Sequence, residues 1–343
     1  MAAAWLTETD LPPDVFAVVM ATGIVSIAGT DHHYPRISQP LAVIGVVAFV
    51  LLLVGLAVRV IARPRSALGE VGDPDVALGL FTFVAACAVL GARLDDHPNV
   101  VWALGAAALA AWLVLVPLAV RDVRSRPRAE LRDHAHGAWL LPSVGTAGLA
   151  VTASDLAVHS DSAALLLVAS VAWLLGLLLY VAVTWLIAWR AVAAPFVPDE
   201  VTPDSWILMG GLAIATLAGA HLLAAADALG LPGYGTWVRP ITLVAWILAG
   251  LWIPVLLYAE VWRIDQRAGS LHYTRVWWAA VFPLGMYSSA TQATGVELRM
   301  RSLTTMSLVF FWIALTVWLL VTVGLAHVGL ARVGLVRRRA PMR

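Results

Sequence analysis

Lysine is missing from this chain: all 22 basic residues are arginine. That removes Schiff-base and lysine general-base chemistry. A single cysteine, Cys87, sits inside an apolar run, so no disulfide can form within one chain. Charge is scarce as well. Only 13% of the residues are charged, against about 25% in soluble domains, and 61% are hydrophobic. Lipid is the solvent that accommodates this balance. The net charge is +1 and no basic face with interleaved aromatics occurs, so nothing points to nucleic acid. P-loop lysine, HExxH and GxSxG motifs are all missing, which leaves ATP-driven transport and the commonest hydrolytic chemistries without support and predicts a protein that is not an enzyme. The pairs His32–His33 (beside Asp31) and His134/His136 fall short of a metal site, and neither metal nor cofactor is expected. The first ten residues, MAAAWLTETD, lack a basic n-region, so the first apolar segment is expected to stay in the mature protein.

What is present is hydrophobic length. Apolar runs of roughly 17 residues or more read as spanning helices. Ten occur, over residues 13–29, 39–62, 76–92, 100–120, 137–153, 162–189, 205–225, 238–261, 276–294 and 303–323. The reading is an all-α integral membrane protein with one domain over residues 1–343 and ten transmembrane helices. When the connections are assigned alternately to two sides, Arg36, Arg93, Arg239, Arg299 and Arg301 fall on one side, and the remaining 17 of the 22 arginines on the other. The arginine-rich side is cytoplasmic by the positive-inside rule. Both termini, a short stretch 1–12 and a basic tail 331–343, are therefore expected in the cytoplasm of a plasma (inner) membrane protein. Trp102, Trp185, Trp189, Trp206, Trp237, Trp262 and Trp277 lie near segment ends, where a headgroup belt places them.

The ten segments group as five hairpins of one sense. Odd members such as VFAVVMATGIVSIAG and WILMGGLAIATLAGA start bulky and pass into Gly, Ala, Ser and Thr, whereas most even members are richer in Leu, Val and Trp. Parallel repeats imply an axis along the membrane normal. Five small-residue helices inside and five bulky ones facing lipid would enclose a channel. Tight packing of small residues is the plainer account of the same Gly/Ala content.

No Asp, Glu or Arg falls near the middle of any segment. Since intramembrane carboxylates mark proton relays, their scarcity favours a neutral path lined by hydroxyl and glycine backbone donors, suited to an anion. His221, in the outer half of the seventh segment, is the one histidine placed to titrate within the membrane and is a possible proton site; a packing histidine is the plainer reading. The ninth segment, WWAAVFPLGMYSSATQATG, sets Phe282 beside the helix-loosening Pro283 and follows it with small and hydroxylated residues. A ring beside a kink has the look of a pore constriction.

FAVVMATGIVSIA (residues 16–28) and WWAAVFPLGMYSSATQATG resemble the tellurite-resistance/dicarboxylate transporter family, related to plant slow anion channels and to fungal malate and sulfite transporters. The resemblance implies a pseudo-fivefold pore built from five hairpins, a homotrimer with a pore in each subunit, and a pore-plugging phenylalanine that matches Phe282. Tyr287 is a nearby aromatic able to share that role. With Phe282 and Pro283 as the gate, the expected lining is Thr22, Gly23, Gly145, Thr146, Gly210, Gly211, Thr216, Gly285 and Ser289. The expected partners are small inorganic or dicarboxylate anions and membrane lipid. The expected function is a channel-like uniporter or exporter of anions such as malate or sulfite, with a proton-coupled dicarboxylate carrier using His221 or a mouth carboxylate as the alternative.

Overall fold

The computed structural model describes residues 12–62, 74–193, 201–266 and 274–339. Residues 1–11 and 340–343 of the expected cytoplasmic termini lie outside the described residues, as do Arg63, Arg65, Arg267 and Arg343. Among the described residues the structure is all-α, with ten principal helices. They are α1 (Ala17–Asp31), α2 (Pro35–Ala62), α3 (Phe81–Arg93), α4 (Pro98–Ser125), α5 (Leu141–His159), α6 (Ala163–Ala193), α7 (Ile207–Ala228), α8 (Gly235–Gln266), α9 (Trp278–Glu297) and α10 (Arg301–Arg339). Short helical turns precede α3, α5, α7 and α9 at Pro74–Gly79, Gly137–Leu140, Pro203–Trp206 and Arg275–Trp277.

Eight of these helices, with their preceding turns, are long and apolar enough to cross a membrane. The other two are α1, with 15 residues, and α9, whose apolar run is diluted by Pro283, Ser288, Ser289, Thr291 and Gln292. The even helices overrun the apolar segments that the sequence marks. Thus α4 continues through Arg121 and Arg124 to Ser125, because arginine stems lie along apolar surface while their heads reach water.

Contacts sort the helices into two layers. α1 packs on α3, α3 on α5, α5 on α7, α7 on α9, and α9 back on α1, which closes a ring. Each even helix packs on its hairpin partner and on the next odd helix, α10 reaching α1. Burial follows this order: 83% of the apolar window of α7 is buried inside the protein, against 11% of that of α4. Leu51, Leu178, Trp185 and Leu320 are among the large apolar side chains left exposed on even helices, as a lipid-facing surface requires.

The turns repeat a device. After α1, α5, α7 and α9 the chain passes through one left-handed residue: His33 (φ 59°), Asp161 (φ 48°), Gly230 (φ 68°) and Arg299 (φ 53°). Beside each, a backbone N–H reaches back five residues to the end of the helix: Tyr34 to Gly29 (2.8 Å), Ser162 to Ala157 (3.0 Å), Leu231 to Ala226 (2.8 Å) and Met300 to Gly295 (2.9 Å). This is the Schellman ending, which satisfies a helix's orphan carbonyl and turns the chain at once into the next helix. Only one of the four uses glycine, so composition does not announce the motif.

A second device ties the layers together. Indole N–H groups of even helices donate to the next odd helix: Trp112 to Thr146 Oγ1 (2.8 Å), Trp173 to the Ala215 carbonyl (2.7 Å), Trp246 to Thr291 Oγ1 (3.1 Å) and Trp318 to Thr22 Oγ1 (3.0 Å). Trp252 donates to Tyr180 Oη (2.8 Å), which donates to the Leu208 carbonyl (2.9 Å). These tryptophans lie away from the helix ends. A buried indole N–H without an acceptor costs about 1–3 kcal/mol, so each one fixes the rotation of its neighbour.

Candidate functional site

Within the ring, α9 shows how side chains are apportioned. A Cβ placed on Gly210 of α7 would sit 2.8 Å from Pro283 Cγ, and one on Gly285 would sit 2.9 Å from Ile24 Cγ2 of α1. Pro283 thus faces α7 and Gly285 faces α1. Tyr287 stacks edge-on against Phe310 of α10, with centroids 4.7 Å apart, and Thr291 takes the Trp246 indole of α8, so both face the outer layer. At 100° per residue the remaining face carries Phe282, Met286, Ser289 and Ala293. Phe282 is fully buried.

Met286 and four helices opposite it form a throat. Ile24 and Ile27 of α1, Ala88, Val89 and Ala92 of α3, Gly148 and Val151 of α5, and Ile214 and Leu217 of α7 complete a wholly apolar lining around about 10 Å³. That is room for about one water. All five inner helices contribute. Such a passage offers a charge no compensating group, so an ion has to shed hydration to enter it.

One helical turn further along, the lining changes character. Asp31 lies four residues beyond Ile27, Asp155 four beyond Val151, His221 four beyond Leu217, and Ser289 three beyond Met286. His221 Nδ1 stands 2.6 Å from Asp155 Oδ1, tying α7 to α5. Asp31 lies beside Ser289, whose buried hydroxyl is a hydrogen-bonding neighbour of its carboxylate. On α3, Arg93 donates through Nε to Ser26 Oγ (2.8 Å) and through Nη2 to Ser38 Oγ (3.2 Å), which clasps α3 to α1 and α2. Above this level opens a vestibule of about 670 Å³, lined by Asp31, Arg93, His221 and Ser289 and by the Arg239–Glu297 pair (2.6 Å) at its rim.

The residues singled out from sequence fall in several places. Ser289 and His221 line the vestibule, and Gly148, not among those singled out, lines the throat. Thr22 and Thr146 accept indoles from α10 and α4, and Gly211 packs on the Tyr180 ring of α6. Gly23 meets Val89 of α3, Gly145 meets Phe81 and Val84 of α3, and Gly210 and Gly285 are the close approaches of α9 described above. Thr216 Oγ1 donates to the Leu212 carbonyl of its own helix (2.8 Å). Asp31, Arg93 and Asp155 join the site from outside that set. Their signal in the sequence is a polar residue three or four positions past an apolar one at the outer end of an odd segment.

The apolar throat enclosed by five helices shares Ile27, Ala92 and Leu217 with the polar vestibule, and the chain matches the family described as voltage-dependent anion channel over residues 10–326. The chain belongs to that family. It is therefore a multi-pass membrane protein of anion transport, placed among transporters and channels rather than enzymes. Relatives named as transporters or as a membrane protein match as well. An uncharacterized transporter of Methanocaldococcus jannaschii is 25% identical over 296 residues, covering 81% of this chain and 82% of the relative. A second transporter of that organism is 23% identical over 293 residues, 80% of this chain and 82% of its own length. An uncharacterized membrane protein of Mycobacterium tuberculosis is 34% identical over 149 residues, 43% of this chain and 76% of the relative.

Proposed function

We propose that the chain is a channel-like uniporter or exporter of small anions, malate and sulfite among the candidates. The path runs along the axis of a pseudo-fivefold ring of five like-oriented hairpins, and Phe282 is its gate. The observation that carries this reading is the throat, to which every inner helix contributes and which shares Ile27, Ala92 and Leu217 with the vestibule. The closed order of contacts among odd helices and the shared turn after four of them support a fivefold arrangement. On this reading α1 and α9 also span the membrane, making ten, because a helix shielded from lipid by the outer layer can afford polar residues. The termini are cytoplasmic by the arginine distribution, and the assembly is a homotrimer in the inner membrane with one path per subunit.

Phe282 shares the axial face of α9 with Met286, one turn away, and Pro283 removes the N–H that would otherwise bind the preceding turn. Rotation of one benzyl group would then open the passage. In planar bilayers, Phe282→Ala is expected to raise anion conductance about tenfold or more, equivalent to about 1.4 kcal/mol off the barrier. Unchanged current counts against the gate.

A second reading, a proton-coupled dicarboxylate carrier, draws on the His221–Asp155 pair at the vestibule floor. It predicts malate uptake into liposomes that follows an imposed pH gradient and loses that dependence in His221→Gln. Uptake indifferent to the gradient leaves the uniporter alone.

A further inference from the structure

The throat closes on a side chain other than Phe282. From α9 its lining takes Met286, and Phe282 stands four residues, about 6 Å, to the side away from the vestibule. Deleting the benzyl group therefore leaves a second obstruction in series with the first. No polar side chain faces its space of about 10 Å³. Water between such walls forfeits hydrogen bonds that nothing replaces, and an apolar constriction gates by dewetting. The parts of this sleeve differ in how they can move. Ile24, Val89, Val151 and Ile214 are β-branched, and each is held by its helix in essentially one rotamer. Gly148 has no side chain to turn and no room for one, since a Cβ there would lie 2.8 Å from Ala88 Cβ. Met286 is unbranched, with three rotatable bonds and a thioether that adapts to irregular gaps. It is the part of the lining best able to move without any helix moving.

Resting on the anion-pathway reading, we propose that Met286 is a second gate in series with Phe282: an apolar closure that keeps water out of the throat and opens by rotation of its own side chain. The two gates differ in kind. Phe282 obstructs by bulk beside a loosened backbone, whereas Met286 obstructs because the sleeve it completes offers an ion nothing in exchange for its hydration. Polarity and stiffness at residue 286, at nearly constant volume, therefore control conduction once the ring is gone.

The test is conductance in planar bilayers with potassium nitrate on both sides, each variant being compared with its Phe282→Ala parent. Met286→Gln, unbranched and of similar length but polar, is expected to raise conductance about tenfold, the scale of one hydrogen bond offered to the ion. Met286→Ile, apolar but locked at χ1, is expected to lower it about threefold or more, the scale of a side chain forced off its rotamer. Parent-like conductance in Met286→Gln overturns the second gate and leaves the pathway reading standing. Where Met286→Gln carries no current in a conducting parent, Val151→Thr decides, since it makes the same sleeve polar from α5 without changing its shape. A rise of about threefold there supports the gate, by the same hydrogen-bond scale shared with the hydroxyl's own helix, and an unmoved conductance overturns it. No current in Phe282→Ala, with or without Met286→Gln, overturns the pathway reading itself, and the second gate falls with it.

Discussion

The inner and outer layers are built from similarly apolar helices, yet they solve different problems. α7 is buried on nearly every face and keeps glycines wherever a neighbour presses close. α4 and α6 bury one narrow stripe and expose leucine and valine elsewhere. In lipid the hydrophobic effect does not separate these roles, since tails are as apolar as leucine; close packing and hydrogen bonds do. The inner layer is thus specified by small residues, and the outer layer by the indoles with which it grips the inner one.

Substitutions test that division in descending order of effect. Gly210→Leu forces side-chain atoms into Pro283, whose Cα is 3.2 Å from the position of the new Cβ, and so pushes α9 from α7. It is expected to destabilise the protein by about 1–3 kcal/mol or more in thermal unfolding in detergent. Trp318→Phe keeps an aromatic ring but deletes the bond to Thr22 and part of the buried volume, and is expected to cost about 1–2 kcal/mol in the same assay. Leu51→Ala, on the exposed face of α2, should stay within about 0.5 kcal/mol. Equal losses at Gly210 and Leu51 would erase the distinction between layers.

Helix positions were legible because hydropathy alone marks long apolar runs, and charge at their ends marks where they leave lipid. Which face of an inner helix meets the axis was not legible. α5 and α7 are buried on nearly every face, so no periodicity distinguishes Thr146, which takes an indole, from Gly148, which lines the throat. The tryptophans misdirect in the same way. Those at segment ends suit a headgroup belt, but Trp112, Trp173, Trp246 and Trp318 act as interior latches, and the acceptor is 34 to 296 residues away in the chain. The His221–Asp155 pair spans 66 residues and emerges only once α5 and α7 are adjacent.

The claim on which the account turns is that anions travel along the axis enclosed by the inner layer. Cysteine substitution in a Cys87→Ser, Phe282→Ala background, probed with a charged methanethiosulfonate added to conducting bilayers, addresses it directly. Modification of Ser289→Cys, on the axial face of α9, is predicted to block most of the current, while Tyr287→Cys, two residues away and turned to the outer layer, is left conducting. Block at Tyr287→Cys with Ser289→Cys unaffected would place the anion path outside the ring and contradict the account.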